Sequence, residues 1–282
     1  MNAPRVLCGL VRAATVALLA VCFGGVAAAE DLPFVTTPDQ VALAMLEIAG
    51  VGPNDRVIDL GSGDGRIVIL AAKQFGARGL GVEIVPELVR QSRLNAQQAG
   101  VAQHVEFRDE DLFKTDLSAA SVITMYLLPD VNLQLRPALL ALEPGTRIVS
   151  HDWDMGDWPP DRTLKIPVLD KAVGLEKSSR VHLWVVPARV HGLWCGQGRA
   201  RGAALRITQS FQRFSARLGG VADIDGFDGK IDAATLRAGG KGEIRLELRG
   251  DRLLVVHGSA RYAALDAVAF ARTALAGCER KP

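Results

Sequence analysis

Val57-Ile58-Asp59-Leu60-Gly61-Ser62-Gly63-Asp64-Gly65-Arg66 runs a short apolar segment straight into three alternating glycines and out into a stretch of helical periodicity. The order is strand, turn, helix. Glycines in such a turn accept positive φ and let a ligand lie against bare backbone. In a dinucleotide-binding fingerprint the sixth position holds a third glycine, so that the helix packs closely and its N-terminus meets a pyrophosphate. Here the sixth position is Arg66, which disfavours a pyrophosphate ligand. The acidic Asp59 just before the turn suits a ligand carrying an ammonium group better than one carrying phosphates.

Outward from this turn, β-rich runs alternate with helical patterns. Pro38 to Ala49 reads as a helix with Thr37 as its N-cap. Arg56–Leu60, Gly79–Glu83, His104–Phe107, Ser121–Tyr126 and Thr146–Ser150 read as strands, and Arg66–Phe75, Pro86–Ala99 and Val131–Leu142 as helices between them. That order predicts an α/β fold with a Rossmann-like doubly wound sheet. After Val181–Val186 the texture changes. Leu205–Phe211, Phe214–Leu218, Glu243–Leu248 and Leu253–His257 alternate between glycine-rich turns, which predicts a small antiparallel all-β unit, sandwich or barrel. Arg261–Leu275 is ambiguous between helix and strand. The expected division is residues 1–29, 33–187 and 188–282.

The 33 basic and 31 acidic side chains nearly cancel to +2, so no strong field exists to hold a polyanion and no nucleic-acid partner is expected. The arginines between Arg199 and Arg217 alternate with apolar residues, as the solvent face of strands does. Residues 1–29 read as a secretory signal peptide: Arg5 and Arg12 precede an apolar run from Ala13 to Val26, which Ala27-Ala28-Ala29 closes. That run is short of the ~20 residues that cross a bilayer. Export to a periplasm or envelope is the expected location, with an uncleaved anchor and membrane proximity as the alternative. Removal of the leader leaves Cys195 and Cys278, which an oxidising compartment would join as a disulfide. Closing such a loop contributes about 4 kcal/mol in the chain-entropy model.

Glu83 ends the second strand, 22 residues beyond Gly61, where a carboxylate accepts hydrogen bonds from two ribose hydroxyls. In the acidic loop Arg108-Asp109-Glu110-Asp111 after the third strand, Asp111 is the favoured acceptor for an adenine amino group. Asp59-Leu60-Gly61-Ser62-Gly63-Asp64-Gly65-Arg66 with Glu83 and Asp111 resembles motifs I to III of the class I S-adenosylmethionine-dependent methyltransferases. Pro33-Phe34-Val35, the unbroken Gly61–Ile69 segment, Leu88-Val89 and Asp111-Leu112-Phe113-Lys114 are similar to the lysine methyltransferases that modify the ATP synthase c-subunit and to their bacterial relatives. The resemblance covers about Pro33 to Trp158, roughly half the chain. It implies S-adenosyl-L-methionine as cofactor, held by Asp59, Gly61, Ser62, Gly63, Asp64, Glu83, Asp111 and Thr124, and an amine acceptor of unknown identity.

In that family the strand-four segment contributes to the acceptor site. Here it reads Thr124-Met125-Tyr126-Leu127-Leu128-Pro129, unlike the Asn/Asp-Pro-Pro-Tyr pattern of amide and base methyltransferases. Tyr126 is placed to orient an amine or take its proton. The loop Ser150-His151-Asp152-Trp153-Asp154-Met155-Gly156-Asp157-Trp158 falls at the carboxyl edge of the sheet, where doubly wound folds bind ligands. His151 is a candidate base and Trp153 a candidate cation–π wall; no metal is assigned to its acids. The competing readings are a small-molecule methyltransferase and an envelope scaffold that keeps the pocket without turnover. Gly192-Leu193-Trp194 weakly resembles the opening of lipocalin-like barrels, with Trp194 expected in the core.

Overall fold

A computed structural model describes residues 36–169, 171, 176–239, 243–274 and 277–278. The leader read at 1–29 and Pro33-Phe34-Val35 lie outside them. The elements of the first half follow in chain order as α1 (Asp39–Ile48), β1 (Arg56–Leu60), α2 (Arg66–Phe75), β2 (Arg78–Glu83), α3 (Pro86–Gln98), β3 (Val105–Asp109), β4 (Val122–Met125), α4 (Pro129–Leu140), β5 (Arg147–His151), β6 (Arg162–Pro167) and β7 (Ser178–Val185). They form one seven-stranded sheet of order β3-β2-β1-β4-β5-β7-β6. The first five strands are parallel, and β7 and β6 add antiparallel at the edge.

Alternation along the strands builds two cores. Val57 packs with α1, α2 and α3 residues such as Met45, Leu46, Val68 and Val89 on one face. Its neighbour Ile58 points to the other face, among Leu135, Leu139, Trp158 and Trp184. Fully burying each such side chain contributes about 2 kcal/mol, so the central strands are fixed by both layers at once.

Two sequence expectations are corrected. Thr37 does not cap α1: Pro38 occupies the N-cap position without a side-chain bond, and the Thr37 hydroxyl is drawn instead to His151. The fourth helix begins two residues before Val131, at Pro129, because proline's fixed φ and missing N–H suit the first helical turn. β6 went unassigned in the sequence, although Leu164 and Ile166 alternate within it and pack on the sheet's core.

The second half is β8 (Gly192–Gly196), β9 (Ala204–Ser210), β10 (Arg213–Gly219), β11 (Gly226–Asp232), β12 (Thr235–Ala238), β13 (Ile244–Arg249), β14 (Arg252–Gly258) and β15 (Ala269–Thr273). They close an antiparallel barrel in the order β10-β11-β12-β13-β14-β15-β8-β9, which resolves the choice between sandwich and barrel. Phe214, Ala216 and Leu218 of β10 point inward among Trp194, Leu236, Leu246 and Phe270, so side chains fill the interior. The ambiguous 261–275 segment overlaps a 3-10 turn, Ala260–Leu265, and then forms β15, Leu275 lying outside the described residues. The sulfurs of Cys195 and Cys278 lie 2.07 Å apart. Among the described residues no helix is long and apolar enough to cross a membrane.

Candidate active site

The parallel strands reverse direction of winding between β1 and β4, which opens a crevice beyond their carboxyl ends. Register brings Asp59 of β1 opposite Thr124 of β4, and Glu83 of β2 opposite Asp109 of β3. The glycine turn leaves β1 with φ of 73° at Gly61, 53° at Gly63 and 80° at Gly65, a region that L side chains rarely adopt. Gly61 and Ser62 N–H both donate to the Val82 carbonyl at 2.9 Å. A Cβ at Gly65 would lie 2.6 Å from the Phe107 ring, and one at Gly81 would lie 2.6 Å from Ser62 Oγ. The bare backbone is therefore required.

Three carboxylates converge on this turn. Asp59 is buried, and the Thr124 hydroxyl donates to its Oδ1 at 2.6 Å. Burial pushes its carboxyl up to about 7, the Thr124 bond opposes that, and the charges of Asp64 and Glu83 reinforce it. Glu83 Oε2 accepts from Gly63 N–H at 3.0 Å, and Oε1 accepts from Ile84 and Val85 N–H at 2.9 and 3.0 Å. The carboxylate read as a ribose acceptor thus also pins the glycine turn to the end of β2. Asp64 turns away to Arg66, whose Nη2 lies 2.6 Å from its Oδ2, and accepts from Arg66 N–H to open α2. Asp111 accepts from Phe113 N–H at 2.9 Å and opens the 3-10 turn Leu112–Lys114. Asn95, missed in the sequence, donates from α3 to the Asp64 carbonyl at 2.9 Å; an isolated amide in a polar helix carries no local signal.

These residues fit a cationic ligand bearing an adenosine. Among the described residues no cation pairs with Asp59, and a buried carboxylate without a charged partner is stabilised by an ammonium group placed beside it. Ser62 Oγ is buried with no hydrogen-bond partner, as is expected where a ligand completes the shell. Asp59, the glycine turn, Ser62 and Glu83 are the residues that would hold S-adenosylmethionine, which when bound supplies a methyl group on an electrophilic sulfonium. Thr124 acts through Asp59.

On the other side of β4, Tyr126 stacks on His151 with ring centroids 3.9 Å apart and planes 31° from parallel. His151 is buried, its Nδ1 3.1 Å from Thr37 Oγ1 and its Nε2 2.8 Å from Ser179 Oγ. Burial holds the imidazole down at about 4; Asp152 opposes this and Lys171 reinforces it. A neutral ring donates through one nitrogen and accepts through the other, so both are satisfied by hydroxyls. The structure makes His151 a strut beneath Tyr126 and leaves neither nitrogen free to act as a base. Burial, and then the Asp152 charge, raise the Tyr126 phenol above its ordinary value. Tyr126 is accordingly a neutral hydroxyl, suited to orienting an amine and unsuited to acting as a phenolate.

Trp153 is 42% exposed, and its loop is anchored from three directions. Asp152, at φ 62°, binds Lys171 Nζ at 2.7 Å and Arg180 N–H at 2.8 Å. Asn132 of α4 donates to the Trp153 and Asp154 carbonyls, and Arg136 donates to the Met155 carbonyl at 2.8 Å and pairs with Asp157. Asp154 accepts from Gly156 N–H. Every acid of the loop is thereby committed, and among the described residues no cluster with metal-ligand geometry occurs. At the far end, Trp158 is buried and its indole N–H donates to Gln212 Oε1 of the barrel at 3.1 Å. Asn132, Arg136, Lys171, Ser179 and Gln212 were invisible in the sequence because each meets the loop only through the fold.

The family model described as the ANTKMT methyltransferase domain matches residues 59–162. A protein-lysine N-methyltransferase of Saccharolobus islandicus strain REY15A is 44% identical over 137 residues, which cover 48% of this chain and 85% of that protein. The ATP synthase c-subunit lysine N-methyltransferase of Mus musculus is 40% identical over 108 residues, 38% of this chain and 43% of that protein. A crystal structure described as an RNA methyltransferase from Salinibacter ruber, in complex with S-adenosyl-L-homocysteine, is 54% identical and superposes with a TM-score of 0.50 over 55% of this chain and 96% of that one. The glycine turn, the buried Asp59 with no cation beside it and these matches agree, and the chain belongs to the class I S-adenosylmethionine-dependent methyltransferases.

Proposed function

We propose that the methyl acceptor is the ε-amine of a lysine in a polypeptide, bound at the Tyr126–Trp153 edge. The observation that carries this reading is the stacked pair of a neutral Tyr126 on a neutral His151, with the exposed Trp153 on the same loop, its N–H bonded to the His151 carbonyl. An alkylammonium is attracted to aromatic faces, and burial among apolar groups favours its deprotonated form. With S-adenosylmethionine held by Asp59, the glycine turn, Ser62 and Glu83, the cofactor would supply the methyl group to the free amine, an N–C bond replacing the S–C bond and the positive charge passing to the product amine. Tyr126 accepts a hydrogen bond from the amine and aims its lone pair, while Trp153 walls the alkyl chain. Alignment of this kind accounts for much of the rate in a bimolecular displacement. The 44% identity to a protein-lysine N-methyltransferase supports the same acceptor class. Consistent with an envelope setting, we take the Cys195–Cys278 pair as a disulfide and residues 1–29 as the leader that delivers the chain there.

The test offers the purified chain tritiated S-adenosylmethionine with two probes, cell-envelope polypeptides and total RNA. Label recovered as methyl-lysine after acid hydrolysis is the expected result. Label in RNA alone, the acceptor named for the Salinibacter ruber structure, overturns the lysine reading, and label in neither probe favours the scaffold.

A further inference from the structure

The hairpin between β9 and β10 turns through two residues only, Phe211 and Gln212, with Ser210 paired to Arg213. Two-residue hairpins that need positive φ favour glycine, asparagine or aspartate. Here Phe211 stands at φ 50°, an outlier for a bulky side chain. Among the described residues no aromatic ring of the barrel meets it. The Phe211 ring lies with the sheet's core instead, stacked on Trp158 at 6.0 Å and 13°, and the Arg136 guanidinium sits 5.9 Å above it.

Gln212 repeats the pattern in hydrogen bonds. It is 3% exposed, and both ends of its amide leave the barrel: Oε1 accepts from the Trp158 indole, and Nε2 donates to the Pro159 carbonyl at 2.6 Å. Gln209 holds the turn from the barrel side by donating to the Phe211 carbonyl at 2.8 Å. Trp158 in turn accepts from Trp184 Nε1 of β7 at 2.9 Å. The arc from Trp153 to Trp158 is therefore held along its length by α4 and the sheet, through Asn132, Arg136, Asp152 and Trp184, and the barrel adds its own hold at the Trp158–Pro159 end through this one turn.

We propose that the Phe211–Gln212 turn is a positioning element for methyl transfer, so that the barrel sets the placement of Trp153 and with it the affinity for the acceptor. This rests on the reading of the 151–158 loop as the border of the acceptor site. Gln212 touches neither reactant and acts only through Trp158 and Pro159. A strained turn retained at the junction of two units is what such coupling requires, because a relaxed glycine turn would surrender the stacking that transmits it.

The full chain carrying Gln212→Leu tests this with two readouts. Amide hydrogen exchange across residues 153–158 is expected to quicken about tenfold relative to the parent, without a change in β1 or α2. The acceptor KM is expected to rise about tenfold, with kcat and S-adenosylhomocysteine affinity kept within about twofold. KM is measured on whichever probe, envelope polypeptide or RNA, the parent labels, so failure of the lysine reading leaves this test standing. If the parent labels neither probe, exchange alone decides. Trp158→Phe, which keeps a ring and deletes the indole N–H, should reproduce the effect and add nothing to Gln212→Leu. Gln212→Glu keeps the acceptor for Trp158 and should restore part of the KM. Unchanged exchange in Gln212→Leu overturns the proposal, as does a joint loss of kcat and cofactor binding that marks general unfolding.

Discussion

The two sides of the sheet's carboxyl edge are built in different ways. The cofactor side is local: Asp59, Gly61, Ser62, Gly63 and Gly65 are neighbours in sequence, and Glu83 reaches back only 20 residues to Gly63. The proposed acceptor side is a meeting place, where His151 bonds Thr37 114 residues away and Trp158 bonds Gln212 54 residues away. The first side is a turn whose chemistry is written in its backbone. The second depends on contacts between distant elements, including the barrel turn whose Gln212 holds Trp158. A cofactor site of this kind tolerates change elsewhere in the molecule, whereas the acceptor site registers it.

The harshest way to break the comparison is at Gly65. A valine there meets the Phe107 ring at a Cβ distance of 2.6 Å and Ser92 at 2.9 Å, at a φ of +80°. Gly65→Val is expected to lower S-adenosylhomocysteine affinity by at least about a hundredfold and stability by about 3 kcal/mol, read by calorimetric titration and denaturant unfolding. Trp153→Ala, on the exposed acceptor side, should leave both nearly unchanged while raising the acceptor KM. Equal loss of cofactor binding in the two variants would erase the distinction between the sides.

Proton linkage sharpens the contrast, because burial disfavours the charged form of both groups and so moves an acid and a base in opposite directions on the pH scale. Asp59 is raised from 3.8 to about 7, so the folded protein holds a proton the unfolded chain has lost. Its stabilisation is complete below pH 3.8 and disappears as pH rises to 7, a change on the order of 4 kcal/mol. His151 is lowered from 6.5 to about 4, so its contribution is present above pH 6.5 and is lost as pH falls toward 4. The parent sums opposing slopes. Asp59→Asn should therefore gain stability with rising pH more steeply than the parent across this range, and His151→Gln less steeply, in urea unfolding at several pH values. Parallel curves for all three proteins would contradict the burial argument. Near neutrality, cofactor binding should also release a proton from Asp59, detectable as a dependence of the calorimetric heat on the buffer's ionisation enthalpy.

The same contrast explains what could be read from the residues alone. The strand-glycine-helix turn, Glu83 and the alternation of strands and helices were legible because local periodicity and φ requirements determine them. The barrel was legible only as alternating runs: four of its strands stood out, while Gly192–Gly196 and Thr235–Ala238 are too short to show a period. Thr37 looked like a cap because Thr before Pro-Asp resembles a helix start, yet burial of His151 offers its hydroxyl a better partner. For His151 the residue type suggested a base, and only the fold shows both nitrogens engaged. Gln212 carries no local signal at all, since a glutamine in a hairpin is ordinary until its turn is seen to enter another core.

Asp111 offers the smallest expected effect and a finer test of locality. Its Oδ1 accepts from Phe113 N–H at 2.9 Å and its Oδ2 lies 3.4 Å from Lys114 Nζ, both within its own turn. Two roles are therefore superposed, an N-cap and a candidate acceptor for the adenine amino group. Asparagine caps as well as aspartate does, whereas alanine does not. If Asp111 serves only as a cap, Asp111→Asn leaves S-adenosylhomocysteine affinity unchanged and Asp111→Ala weakens it indirectly as the turn loosens. If the carboxylate meets the adenine amine, loss of its charge alone should weaken binding about threefold. We expect the second pattern in calorimetric titration, with Asp111→Ala weaker still and the acceptor KM unmoved in both, because the turn that Asp111 opens lies beside β3, across the sheet from the loop that the barrel holds.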